Sequence, residues 1–411
     1  MIVRGGTVVT ARGVERADVA IRDGRITEVG PNLAEDGEEV EATGMHVFPG
    51  GIDSHVHFNE PGRTDWEDIA HGTAALAAGG YTSFIDMPLN NLPVTTTVEA
   101  FDLKLAAMQR SSKVDYGLWG GLVPGNLDQL QPLVRRGVMG FKAFMCPSGL
   151  AEFPAADERT LREGMERIAE LDSILLVHAE DPALLAEPNG PTAADFIASR
   201  PPEAEISAIE TAIAIANQTG CRLHVVHVST ARSAELIGRH ANVSGETCPH
   251  YLLYTAGDLE RLGGVGKCAP PFRDEAMGMM PIVVSDHSPS TLDLKQGQDF
   301  RQIWGGISGC QSTRQLLLAL DGLDLSTVAA TTSTNIARRF GLTNKGDIAP
   351  GFDADLWIVN LGHDDVMRRK DLLYRNQFSV HHGRRIRGRT IKTLVRGREA
   401  GTGGPLNQTF N

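Results

Sequence analysis

Paired cysteines, a basic excess and long apolar runs are what this sequence is short of. Its five cysteines (146, 221, 248, 268 and 310) are odd in number, scattered and never spaced CxxC. That excludes a disulfide framework and makes the reducing cytoplasm the expected compartment. Lys and Arg number 39 against 51 Asp and Glu, a formal charge of −12, so no nucleic-acid partner is expected. No apolar run approaches the roughly 20 residues that span a bilayer, and the opening MIVRGGTVVTARG lacks the apolar core of a signal peptide; no membrane partner is expected. No GxGxxG follows a strand-like run, which leaves a dinucleotide-binding sheet without support.

What is present is a chain of 411 residues, 41% hydrophobic, enough for a large barrel with an appendage. Both ends read as short strands. IVRGGTVVT and ADVAIRDGRITEVG open the chain, with Asp23-Gly24 as a hairpin signal; DADLWIVN and RTIKTLVRGRE return near the end. The two ends predict one small β-sandwich domain, residues 1–47 with 344–411. Between them, residues 48–343 alternate apolar runs with helical segments such as 157–171 and 203–220. The runs are GGIDSHVHF, YTSFIDMP, DYGLWGGLV, GFKAFMC, SILLVHAE, RLHVVHVS, VSGETCPHYL and PIVVSDHSP. This α/β alternation predicts a parallel sheet closed as a (β/α)₈ barrel, whose sites lie at the C-terminal ends of its strands; an open doubly wound sheet is the alternative.

Metal-capable groups gather at those ends. His55 and His57, two apart, share one face of the first strand. Lys142 lies in the fourth, His178 ends the fifth, His227 the sixth and Asp286 the eighth. His224 stands three before His227, so alternation puts it on the opposite face, packed against a helix. His287 faces away from Asp286. The other histidines, among them His46, His71, His240 and His250, read as structural. Four imidazoles and a carboxylate suit zinc or a similar divalent ion. Lys142 fits only as a buried neutral amine or as the carbamate formed with carbon dioxide, whose two oxygens could bridge two metals.

The ordered set HVHFNEPGR, YTSFIDMPLN, GFKAFMCPSG, LLVHAED, LHVVHVS, ETCPHYL, KCAPPFRDEA, SDHSPS and WGGISG resembles the cyclic amidohydrolases, most closely their allantoinase branch, over nearly the whole chain. The resemblance implies two divalent ions, zinc foremost with cobalt or manganese possible, and a carbamate on Lys142. It places one ion on His55, His57 and Asp286 and the other on His178 and His227. It implies a bridging hydroxide that opens a cyclic amide, with Asp286 as catalytic acid–base. For allantoin the product would be allantoate. A hydantoinase or dihydropyrimidinase activity is the alternative, dihydroorotase or a non-catalytic scaffold a weaker one. A homotetramer is implied as well.

Dihydroorotases resemble this chain but carry HxHxR, MPNT, NPP and DHAPH, where it has Asn59, Leu89, Ala269 and Ser290. Groups that hold a carboxylate are missing, which predicts a small neutral cyclic ureide as substrate, because an unpaired buried charge is costly. Asn59, Asn90, Ser290, Gly305 and Gly306 are the candidate substrate contacts. Asn90 reads equally as a turn residue, and Arg63 as a tie through Asp65 or Glu67. Only MGMMPIVV separates Ala276 from Ser285, so the last crossover lacks room for a helix there, and residues 188–191 and 274–281 are expected to be mobile.

Overall fold

The computed structural model describes residues 1–34 and 37–406; positions 407–411, assigned above to the C-terminal β domain, lie outside the described residues. The chain opens with β1 (Ile2–Thr10), β2 (Gly13–Arg22), β3 (Arg25–Gly30), β4 (Glu39–Glu41) and β5 (His46–Pro49). It continues with β6 (Gly51–Val56), β7 (Tyr81–Asp86), β8 (Asp115–Leu118), β9 (Gly120–Gly121), β10 (Phe141–Phe144), β11 (Ile174–His178), β12 (Arg222–Val225) and β13 (Val243–Gly245). It closes with β14 (Leu356–Val366), β15 (Arg385–Val395) and β16 (Arg398–Glu399).

The two ends of the chain share one sheet, ordered β16-β15-β14-β5-β1-β2-β3 with β4 against β1. Asp23 and Gly24 both take positive φ, 52° and 77°, the backbone that a two-residue hairpin between right-twisted strands requires. Strand β1 changes partner along its length. Ile2–Arg4 pair with β4, and Thr7 and Val8 with β5. The change falls at a register shift between Val3 and Gly6, where Gly5 has φ 66°. The expected sandwich is therefore one connected sheet turned at a bulge. Alternating apolar residues (Val8, Val19, Ile26, Val47, Leu356, Ile358, Leu394) fill its own core.

The (β/α)₈ barrel starts after residue 49 and not at 48 as expected, because Phe48 and Pro49 pair with β14 in the terminal sheet. Strands β6-β7-β8 and β9-β10-β11-β12-β13 run parallel. The third apolar run is broken at Trp119, so β8 stays with β7 while β9 joins β10. The eighth run makes isolated bridges only, Thr247 to Val283 and Val56 to His287, and these close the ring. Helices return outside the strands. Glu158–Glu170 starts where Asp157 accepts from the Thr160 N–H, and it buries Leu161, Met165 and Ile168 at helical spacing. Pro202–Thr219 stops at Gly220, φ 72°.

After β13 the chain makes two short helices, Pro249–Leu253 and Ala256–Leu262, and residues 267–281 contain none. The helix missing from the last crossover is thus absent, yet the segment is tied: Met277 and Met280 are buried, and the Met277 N–H donates to the Tyr251 carbonyl at 2.8 Å.

Candidate metal centre and active site

Four imidazoles, a carboxylate and an amine meet at the C-terminal mouth of the barrel. His55 Nε2 and His57 Nε2 lie 3.2 and 3.5 Å from Asp286 Oδ1. His178 Nδ1 lies 3.0 Å from His227 Nε2. The His55 ring centroid is 5.5 Å from that of His227, so the two groups adjoin. Lys142 Nζ is buried with no hydrogen-bond partner among the described residues, and so is His227 Nδ1. Burial, opposed by Glu246 and Asp286, lowers Lys142 to about 7, so much of it is neutral amine at neutral pH.

Three of the four histidines are oriented by their second nitrogen. His55 Nδ1 lies 2.5 Å from Glu246 Oε1, which leaves Nε2 for an ion. His57 Nδ1 lies 3.4 Å from the Leu89 carbonyl. His178 Nε2 meets Glu180 at 2.7 Å, which leaves Nδ1. Burial pushes Glu180 up, but Arg200, paired with it, and His178 outweigh burial and hold it at about 2. Burial pushes Glu246 up to about 8 against the pull of Lys142. Neither glutamate was singled out from sequence; each sits in a quoted motif, Glu180 two past His178 and Glu246 just past β13.

His227 and Asp286 reach the mouth as read from the sequence, but strand alternation is not what places them. Both stand beyond regular strand with φ of 40° and 43°, so a turn aims them and the period of two does not. His224 packs against Phe340, next to the helix Asn335–Arg339, as expected. Its Nε2 nevertheless reaches Glu246 at 3.0 Å, which joins it to the network under His55.

The donor set fits divalent ions. Two bare nitrogens 3.0 Å apart, two more facing a carboxylate, and a partnerless buried amine form an electron-rich pocket that a cation completes.

The cavity above them measures about 400 Å³ and is lined by Leu89, Asn90, Ala269, Gly305 and Gly306 among others. Three cations also line it, and each is engaged. Arg200 pairs with Glu180 and Arg301 with Asp299; Lys267 Nζ donates to the Phe300 and Ile303 carbonyls. Asn59 and Ser290 are not on its wall. Asn59 is buried behind Asn90, its Nδ2 donating to the Asn90 carbonyl at 3.5 Å. The Ser290 hydroxyl donates to the Thr291 carbonyl at 3.2 Å. Ser288 lines the cavity and accepts from Asn90 Nδ2 at 3.3 Å. Asn90 itself combines the two roles weighed for it, a φ of 76° and a place on the wall. Gly306 lines the wall, but its N–H donates to the Lys267 carbonyl and its carbonyl accepts from Lys295; Gly305 has neither bond to those lysines. Arg63 Nη1 reaches the Asn90 carbonyl at 3.4 Å, in place of Asp65 or Glu67.

Residues 46–392 match the amidohydrolase family. The allantoinase of Rubrobacter xylanophilus is 49% identical, over 98% of this chain and 94% of its own. The allantoinase of Solibacter usitatus is 47% identical, over 96% and 92%. Of solved structures, the L-hydantoinase (dihydropyrimidinase) from Arthrobacter aurescens superposes with a TM-score of 0.94 at 29% identity, covering 99% of each chain. Dihydropyrimidinase from Brevibacillus agri gives 0.90 at 29% identity, over 100% of this chain and 99% of its own.

Proposed function

The chain belongs to the amidohydrolase family, and from that premise we propose that it opens the ring of allantoin by hydrolysis to give allantoate. The observation that carries this is a cavity whose floor is a metal-ligating cluster and whose lining cations are all engaged, so that it suits an uncharged cyclic amide. His55, His57 and Asp286 would hold one divalent ion, and His178 and His227 the other. Zinc is the leading candidate, with cobalt and manganese accommodated by the same ligands. Such ions supply Lewis acidity, lowering the pKa of water to about 7 and polarising an amide carbonyl.

The residues of the chain do the rest. The neutral amine of Lys142 forms an N–C bond to carbon dioxide and loses a proton, giving an anionic carbamate between the two ligand groups. Asp286 takes the proton of the attacking water and delivers it to the ring nitrogen as the C–N bond breaks. Asn90 offers an amide to a ureide edge. Leu89 and Ala269 supply apolar wall where a carboxylate would need a donor. Five free, buried cysteines support a reducing compartment, the cytoplasm, and family resemblance supports a homotetramer.

The likeness in fold to hydantoinases favours a second reading, hydrolysis of hydantoin or dihydrouracil. Metal-loaded protein offered allantoin, hydantoin, dihydrouracil and dihydroorotate separates them. Turnover of allantoin foremost is expected; preference for dihydroorotate would overturn the neutral pocket, and preference for hydantoin would install the second reading.

A further inference from the structure

The motif ETCPHYL contributes Glu246 to the network under His55, but two of its other residues have no part in that network. Cys248 and His250 converge on Asp286: a ligand atom of each of the three lies within 4.8 Å of the others. Both residues are fully buried. Among the described residues His250 has no hydrogen-bond partner on either ring nitrogen, an uncommon state for a buried imidazole. The groups around the Cys248 thiol include the carboxyls of Asp286, Glu246 and Asp53. Although Cys248 precedes the helix Pro249–Leu253, its side chain makes no capping bond.

We propose that Cys248, His250 and Asp286 form a third cation site, for a thiophilic divalent ion, and that filling it inhibits the enzyme. Binding forms a metal–sulfur bond and releases the thiol proton to solvent, with no change of oxidation state. Asp286 has two carboxylate oxygens, so one ion can draw it away from His55 and His57 and from the substrate cavity that it lines. The other thiol cluster, Cys146 with His178 and Glu180, is different. Arg200 is paired with Glu180 and lies 3.7 Å from Cys146 Sγ, so a cation is already there.

The binding half of this proposal stands on the trio alone; the inhibitory half rests on the proposed hydrolysis. The test is Cd²⁺ titrated into metal-loaded protein, following bound metal by elemental analysis, the thiolate-to-cadmium ultraviolet band, and allantoin turnover. One equivalent beyond the resident metal is expected, with the band and with inhibition. Cys248→Ala and the near-isosteric Cys248→Ser should both lose the band and resist Cd²⁺ by roughly tenfold or more, as loss of the only thiolate ligand requires; Cys146→Ala should behave as the parent. A band that survives in both Cys248 variants, or uptake only by exchange with resident metal, overturns the site. A band without inhibition overturns the inhibitory half. A protein inactive on allantoin still gives the band and the stoichiometry, so failure of the site and failure of the proposed activity are distinguishable.

Discussion

Glu246 has no access to solvent and faces His55 at 2.5 Å and His224 at 3.0 Å. Its contact with Nδ1 leaves Nε2 of His55 free, and an amide has only one acceptor oxygen for the two imidazoles, so Glu246→Gln is expected to weaken metal retention by roughly 10–100-fold, measured as metal left after dialysis against a chelator; unchanged retention would contradict the role. Glu180 is held by its pairing with Arg200. A carboxyl held at about 2 instead of 4.5 adds stability that is complete above about 4.5 and lost as pH falls toward 2. Glu180→Gln should therefore cost about 3–5 kcal/mol at neutral pH, and the gap to the parent in urea melts should narrow below pH 4.5. At this scale the period of two made His55 and His57 legible. Glu180 and Glu246 were not, because a carboxylate shows its partner only once separate strands are side by side. Asn59 and Ser290 misled because adjacency in a motif says nothing about which way a buried amide or hydroxyl turns.

Among the elements, the wall that carries Gly305 and Gly306 is held by two buried lysines. Lys295 Nζ donates to the Lys267, Trp304 and Gly306 carbonyls, and Lys267 to those of Phe300 and Ile303. Gly306 has φ 148°, and a Cβ there would meet the Ser288 carbonyl oxygen at 2.5 Å and its hydroxyl at 2.8 Å. Gly306→Ala is expected to destabilise by about 1–3 kcal/mol and to raise the KM for allantoin, since Ser288 also positions Asn90. Steady-state kinetics with a thermal melt check this; parental values in both would show that the wall yields freely. Helix 157–171 was legible because its cap and apolar stripe are local. The eighth strand run was legible as a place in the ring but not as bridges only, since the turn at Asp286 leaves no periodic mark.

Across the whole molecule, the barrel and the β domain are joined by buried charge. Lys345 pairs with Asp115 at the start of β8 and with Asp353 and Asp355 beside β14. Lys345→Met leaves Asp355 without its cation, while Arg396 still pairs with Asp115 and Arg25 with Asp353, and should cost about 3–5 kcal/mol, read from denaturant midpoints; a cost near zero would mean that the two parts hold together without it. Because both ends of the chain build one sheet, a barrel cut free of its termini would lose that sheet. The central claim, that this sheet-supported barrel holds a metal centre completed by Lys142, is tested most directly by measuring allantoin ring opening together with bound metal per chain. The measurement is made on the metal-loaded protein, its chelator-treated form and Lys142→Ala. Two ions and turnover are expected in the first, and loss of both in the other two. Full turnover by Lys142→Ala, or by the metal-free protein, would contradict it.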